Sequence, residues 1–232
     1  MPSLKEEVFT VLRENLLVVR PEYNDRDAVL CPICLREISR DEAMTGGVEH
    51  IIPRVATKGE ECGGTTNQRS GITLLCRKQR NRKADGRVYK DGCNGMKGST
   101  YDFIFARLLD RGEHQESELT HRHGVAILTM AYLAAFQFLG YEYILRPSLD
   151  EIREQFDYPD QRITGYLDDA RYNLKGEPQP FLTESGQPFV WGGVTTQEAA
   201  LSVVFRRCRA ILPGGHWDIK HGLQHLANLA QA

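Results

Sequence analysis

The chain lacks a strong charge of either sign. Its 29 Lys and Arg nearly balance 31 Asp and Glu, for a formal net charge of −2 and a pI near 6.4. That argues against a protein held on nucleic acid by overall charge, while leaving room for a local basic patch. Long apolar runs are also missing. The uncharged stretch from Gly124 to Gly140 contains Thr129, Tyr132 and Gln137. It falls short of the roughly 20 residues a spanning helix needs. It therefore reads as a buried core helix, and no membrane partner is expected. The start, Met1-Pro-Ser-Leu-Lys-Glu-Glu, is charged and has no apolar segment of the secretory kind. A cytoplasmic location is the expectation. Neither an internal repeat nor a low-complexity tract is visible.

What is present is enough for a real core. The chain has 232 residues, 41% of them hydrophobic, which suits one medium domain or two small ones and argues against global disorder. The pattern predicts an α+β protein in three parts: an N-terminal helix over residues 1–28, a cysteine-bearing module over 29–105, and a mostly helical accessory region over 106–232. Ser3 with Glu6 makes a capping box, Val8, Phe9, Leu12 and Leu16 recur at helical spacing, and Arg20-Pro21 ends the helix. The 29–105 stretch has only short apolar pieces among Gly, Thr and charged residues, the texture of a module that needs a metal to fold.

Beyond it, the Gly124–Leu139 helix is followed by a predicted short strand, Tyr141 to Leu145. Ser148 with Glu151 makes a second capping box, opening a helix that stops near Pro159. Residues 173–194 read as loop with a strand at Phe189–Trp191. Thr195 with Glu198 opens a helix whose apolar face is Leu201, Val204, Phe205, Cys208, Ile211 and Leu212, stopped by Pro213-Gly214. A last helix is predicted from about Trp217 to Leu229.

Six cysteines in a chain without a visible leader read as metal ligands in a reducing compartment rather than as disulfides. Cys31 and Cys34 form a C-x-x-C pair, which lets two thiolates face one metal from a tight turn. Cys76 and Cys93, though sixteen residues lie between them, complete a tetrahedral Cys₄ set for structural Zn²⁺. A loop of that length is tolerated because closure entropy grows only logarithmically. Cys62 and Cys208 are left over, with Cys208 read as core.

Two further pieces carry chemistry. Glu49-His50 supplies an oxygen ligand for a hard cation and an imidazole able to take a proton from water near neutral pH. Asn94 directly follows a zinc cysteine, so its position is set by the structural metal. The order C-x-x-C, acidic-His-Ile-x-Pro, Gly-Gly, Leu-Leu-Cys, Cys-Asn-x-x-Lys-Gly, over residues about 31–103, resembles the HNH endonuclease family, the zinc-knuckle branch of the ββα-metal nucleases. The resemblance implies His50 as general base, Glu49 and Asn94 as ligands of a catalytic Mg²⁺ or Mn²⁺, and Cys31, Cys34, Cys76 and Cys93 as the zinc ligands.

Two departures from the family pattern stand out. Gly71 occupies the place of the family's middle Asn, with Asn67 or Ser70 as substitutes for orienting the base. The stretch Cys76-Arg-Lys-Gln79-Arg-Asn81 mimics a knuckle with Gln79 in place of a cysteine, which makes Asn81 an alternative catalytic Asn. Cys93-Asn94 is preferred because it alone completes four thiolates.

Arg77, Lys78, Arg80, Arg82, Lys83, Arg87, Lys90 and Lys97 cluster beside this site against only Asp85 and Asp91, and are predicted to contact a phosphate backbone. His121 with His123 and His221 with His225 are predicted to be structural or surface groups. The expected partner is DNA, with RNA an alternative. Residues 106–232 are the expected dimerisation or protein-contact element. The resemblance implies a metal-dependent endonuclease, of a kind common in bacterial and phage defence, restriction and mobile elements. The rival expectation is a catalytically idle zinc module used for nucleic-acid or protein binding.

Overall fold

A computed structural model describes residues 2–54, 71–110, 119–172, 191–195, 200–205 and 208–214. The first element is helix α1, Leu4–Val19, opened by the Ser3 side chain accepting from the Glu6 amide and closed at Arg20. Val8, Phe9, Leu12 and Leu16 are its buried face, as the spacing predicts.

Strands β1 (Ala28–Leu30) and β2 (Glu37–Ser39) pair antiparallel, and helix α2 (Arg40–Thr45) follows, capped by Ser39. Strand β3 (Glu49–His50) pairs with β4 (Ile72–Thr73), and β5 (Arg80–Asn81) pairs with β6 (Val88–Tyr89). Helix α3 (Gly92–Lys97) runs through one π-type turn, Gly98–Asp102, into α4 (Phe103–Asp110).

Helix α5, His121–Ile144, forms the centre of the core: every residue from Val125 to Phe136 is buried. Helices α1 and α4 and the later strands pack against it. Among the described residues no helix is long and apolar enough to cross a membrane. The helix is kinked at Gly140, which has φ 66° and ψ −157°. The Asn15 side chain accepts from the Tyr141 amide at 2.7 Å and restarts the helix there. The strand predicted for Tyr141–Leu145 is therefore helical. Its alternating aromatics are explained by two tyrosine hydroxyls that reach separate partners, Tyr141 to Leu30 and Tyr143 to Pro213.

Two more expectations are corrected. The Ser148–Glu151 capping box does not form: Pro147–Leu149 is a 3₁₀ turn, and helix α6 spans Asp150–Gln155 without a side-chain cap. The helix predicted after Thr195 is instead a pair of strands, β9 (Ala200–Phe205) and β10 (Cys208–Pro213). With β7 (Arg171–Tyr172) and β8 (Trp191–Thr195) they form an antiparallel sheet in the order β7-β10-β9-β8. Leu201 and Val203 are buried, as are Cys208, Ala210 and Leu212, with Ser202, Arg209 and Ile211 between them less so. That is the period of two of a strand lying on a core. Besides its helices, the C-terminal region thus carries this four-stranded sheet packed on α5. The mixture of helices with small antiparallel sheets is α+β. The predicted helix from Trp217 to Leu229 and Phe189 lie outside the described residues.

Candidate metal centre

The first cysteine pair sits in the turn between β1 and β2. The Cys31 amide donates to the Arg36 carbonyl at 2.9 Å, and the Leu35 amide to the Cys31 carbonyl at 2.8 Å. Leu35 takes a φ of +56°, a left-handed conformation that curls the turn back beneath both thiols. Helix α5 props this turn from behind. The Tyr132 hydroxyl donates to the Pro32 carbonyl at 2.7 Å, and the Tyr141 hydroxyl donates to the Leu30 carbonyl at 2.5 Å.

The second pair shows why sixteen residues can separate two ligands of one metal. Between Cys76 and Cys93 the chain makes a hairpin, β5–β6, turned at Gly86 with φ +70°, and returns to its starting point. The amides of Cys93 and Asn94 both donate to the Cys76 carbonyl, at 2.8 and 3.3 Å. Gly92 makes this closure feasible. Its φ is +56°, and a Cβ there would lie 2.3 Å from the Cys76 carbonyl oxygen.

The thiols of Cys31, Cys34 and Cys93 lie within 4.8 Å of one another, and the Cys76 thiol, in the neighbourhood of Cys34, donates to the Lys78 carbonyl at 4.0 Å. Cys31, Cys76 and Cys93 are fully buried, while Cys34 is partly exposed. The Arg80 guanidinium donates to Cys93 Sγ at 3.0 Å, and Arg36 reaches Cys34. Donation from the Cys31, Cys76 and Cys93 thiols and from Arg36 holds Cys34 far below the usual thiol range. Burial pushes Cys31 the other way. Several thiols and two guanidinium groups thus converge at this turn. Soft sulfur donors in a closed, buried cluster can hold a metal such as zinc. Cys208 is buried in β10 and is not part of the cluster, and Cys62 lies outside the described residues.

Next to this cluster, α3 faces the β3–β4 pair. Lys97 is completely buried. Its ammonium donates to Glu49 Oε1 at 2.9 Å, to the His50 carbonyl at 2.8 Å and to Asp102 Oδ1 at 2.6 Å. Asn94 lies one helical turn earlier, on the same face of α3. Its Nδ2 donates to Asp91 Oδ2 at 2.9 Å, and its Oδ1 is buried with no hydrogen-bond partner among the described residues. Glu49 stands opposite Thr73 across the ladder, so their side chains share a face. Thr73 Oγ1 is likewise buried without a protein partner. His50 is the neighbour of Glu49 on a two-residue strand and leaves it on the opposite side. Lys97 thus ties Glu49 to the helix turn that carries the orphaned Asn94 oxygen, with the His50 imidazole on the other side of the strand.

Asp102 and Thr73 were missed by the sequence reading. Asp102 could have been noticed from its spacing to Lys97, since an acid five residues along a helix of π type falls beside the lysine. Thr73 gives no sequence signal. Burial pushes the Asp102 carboxyl up, against the pull of Lys97.

The basic residues divide into two sets. Arg80 is largely buried and turned inward, donating to Asp157 at 2.5 and 2.6 Å besides Cys93. Arg82 is buried and ion-paired to Asp85 across the hairpin turn. Lys97 holds Glu49 and Asp102. These three are corrections to the expected phosphate contacts: each side chain faces the protein, because each neutralises a carboxylate there. Arg77 pairs with Asp91, Lys78 with Glu42 and Lys83 with Glu154, all at partly or largely exposed positions. Arg87 and Lys90 are exposed on or beside the hairpin.

Asn81 is also exposed on that hairpin and lines an open cleft with Cys34, Arg36, Gln79 and Arg80, whereas Asn94 lies one helix turn from Lys97, which holds Glu49. His123 accepts from the Thr120 amide at 3.0 Å and so helps start α5, and His121 is exposed beside it. Asn67, Ser70, His221 and His225 lie outside the described residues.

Comparison of the chain with family models, with curated proteins and with solved structures finds no match in any of the three. The arrangement of thiols, carboxylates, amide and imidazole therefore has to carry the functional reading by its own chemistry.

Proposed function

We propose that the protein is a metal-dependent endonuclease of the HNH kind that hydrolyses phosphodiester bonds of DNA. The observation that carries this reading is the buried, unpartnered Oδ1 of Asn94, one helix turn from the lysine that grips Glu49. An amide oxygen and a carboxylate oxygen are hard donors and suit Mg²⁺ or Mn²⁺. Glu49 and Asn94 would hold that ion, which when bound neutralises charge on the phosphate and leaving oxygen. His50, on the far side of the strand, would take the proton from the attacking water. Cys31, Cys34, Cys76 and Cys93 would hold a structural Zn²⁺, with Arg36 and Arg80 donating to the sulfurs. Lys78, Lys83, Arg87 and Lys90 remain for the phosphate backbone. A role in bacterial or phage defence, and a homodimer or protein contact through the C-terminal region, belong to the same proposal.

The test is plasmid nicking with Mg²⁺ or Mn²⁺, repeated on a single-stranded RNA. The parent chain should cut DNA, and His50→Ala should lose about 10²–10⁴ in rate with zinc content and DNA affinity kept. Equal cleavage by His50→Ala at equal zinc content would rule the mechanism out.

One observation favours the rival, a catalytically idle zinc module. One oxygen of Glu49 is already neutralised by Lys97, so this carboxylate is provided with a cation without any metal. No cleavage of either nucleic acid by zinc-loaded protein would select that reading.

A further inference from the structure

We infer that Lys97 and Asp102 are positioning residues for the proposed catalytic centre, in place of the phosphate contact that the charge of Lys97 first suggests. The inference rests on the endonuclease reading and deepens it.

A lysine ammonium has three N–H donors and accepts nothing. Lys97 spends all three inside the protein, on a carboxylate of β3, the main-chain carbonyl of the next residue and a carboxylate of the following π turn. Nothing of it is left for solvent or for a nucleic acid, since its side chain is 0% exposed. A buried charge is retained only where it is paired and hydrogen-bonded, and here the pairing has a direction. One Glu49 oxygen is fixed against the ammonium, which leaves Oε2 as the one to face a metal. The bond to the His50 carbonyl fixes the peptide that carries the imidazole. Asp102 holds the ammonium from the opposite side, so it cannot swing away with Glu49.

The geometry also links the two metal sites. Lys97 lies four residues after Cys93, on the helix whose first turn hangs from the Cys76 carbonyl. The zinc cluster sets α3, α3 sets Lys97, and Lys97 sets Glu49 and His50.

The charge of Lys97 and its position make opposite demands on a divalent ion. Removing a positive charge near a cation site favours the cation, whereas freeing Glu49 disfavours it. The sign of the change therefore separates positioning from simple electrostatics.

The experiment measures Mn²⁺ binding by electron paramagnetic resonance on zinc-loaded protein without DNA. DNA binding in Ca²⁺ across a salt series is measured alongside. Lys97→Met should weaken Mn²⁺ about tenfold and leave the salt slope of DNA binding at its parental value. Asp102→Asn, which keeps shape and leaves Lys97 paired to Glu49, should weaken Mn²⁺ about threefold, the sign that electrostatics alone also gives. Lys97→Arg, which keeps the charge but not the three-way geometry, therefore serves if Lys97→Met fails to fold. It should weaken Mn²⁺ about threefold, and unchanged binding would overturn the inference. His50→Ala should leave Mn²⁺ affinity unchanged.

Unchanged or tighter Mn²⁺ binding in a folded Lys97→Met, or in Asp102→Asn, would overturn the inference while leaving the endonuclease reading standing. A salt slope reduced by about 0.9 in Lys97→Met would restore the phosphate contact instead. A parent chain that binds no Mn²⁺ would overturn both.

Discussion

Among the described residues between Ala28 and Lys97, no strand exceeds three residues, whereas α5 alone runs for 24 and β9 and β10 for six each. The first region is held by crosslinks: four thiols, Arg80 to Asp157, Arg77 to Asp91 and Lys97 to two carboxylates. The second is held by area, a run of buried side chains from Val125 to Phe136 against the inward faces of β9 and β10. Two- and three-residue strands cannot bury enough apolar surface to offset the ordering of their own backbone. Side chains such as Val29, Ile51, Ile52 and Ile72 join the common core, and directional contacts add to that area. The region of short strands is thus the one whose directional contacts position chemical groups.

The largest break in this comparison should come from the metal. Structural zinc contributes on the order of 10 kcal/mol to folding in small modules. Purified protein should carry about one zinc per chain. Cys93→Ser should lose it and should strip amide exchange protection from β1–β6, while α5 keeps more of its own. Cys62→Ser should keep the metal. Zinc retained in Cys93→Ser, or protection lost to the same extent in α5, would show that the two regions are not held differently.

What the sequence made legible follows the same division. The first helix could be read to the residue because its signals are local, a Ser3 cap and a stripe at helical spacing. The cysteine cluster was legible because tetrahedral ligation demands particular residue types and tolerates loop length. The β9–β10 pair was misread because Leu201, Val204, Phe205 and Cys208 fit a helical face while Leu201, Val203, Cys208 and Ala210 fit alternation. Short apolar runs satisfy both periods, and only the neighbouring Val203-Val204, β-branched and strand-favouring, tilts the choice. Lys97, Arg80 and Arg82 were misassigned for a different reason. Charge is written in the sequence, but whether a charge faces water depends on carboxylates far along the chain, such as Asp157 for Arg80.

A smaller break concerns the tie between the two regions. Arg80 and Asp157 are 12% and 5% exposed and join the hairpin to the segment after α6. Removing one partner of a buried pair typically costs about 3–5 kcal/mol, whereas replacing both by apolar groups can be neutral. Arg80→Met should therefore destabilise by about that amount in urea, and Arg80→Met with Asp157→Leu should recover most of it. A double variant as unstable as the single one would mean that the N–H···S bond to Cys93, lost in both, dominates.

On the side held by area, the sensitive point is the kink at Gly140. Its φ is +66°, and a Cβ there would come within 2.2 Å of Asn15 Oδ1. Backbone at this φ with ψ −157° is essentially restricted to glycine and costs an ordinary residue about 1–3 kcal/mol, and the lost cap on Tyr141 adds about 1 kcal/mol. Gly140→Ala should cost about 3 kcal/mol and Asn15→Ala about 1 kcal/mol, read from urea midpoints at constant slope. Zinc content should stay at the parental value in both. Zinc loss in Gly140→Ala would show that α5, through Tyr132 and Tyr141, governs the knuckle more tightly than the crosslinks do.

The smallest effect sharpens the comparison at a single turn. Leu35 closes the Cys31–Cys34 turn with φ +56°, the same left-handed conformation that Gly92 adopts beside Cys93. Gly92 is tied to glycine by a carbonyl 2.3 Å from where its Cβ would be. Leu35 has no such obstacle and instead packs part of its side chain against the core. Leu35→Gly would relieve about 1–2 kcal/mol of backbone strain. It would also lose about 0.5–1 kcal/mol to the freer unfolded chain, and the partial burial of the side chain offsets the rest. The net change in urea unfolding of zinc-loaded protein should be within about 0.5 kcal/mol. Leu35→Val, which keeps a side chain but adds a branch at Cβ, should be the less stable of the two by about 1 kcal/mol. If Leu35→Gly instead cost several kcal/mol, side-chain packing and not turn geometry would be holding this cysteine pair. The first region would then depend on buried area after all.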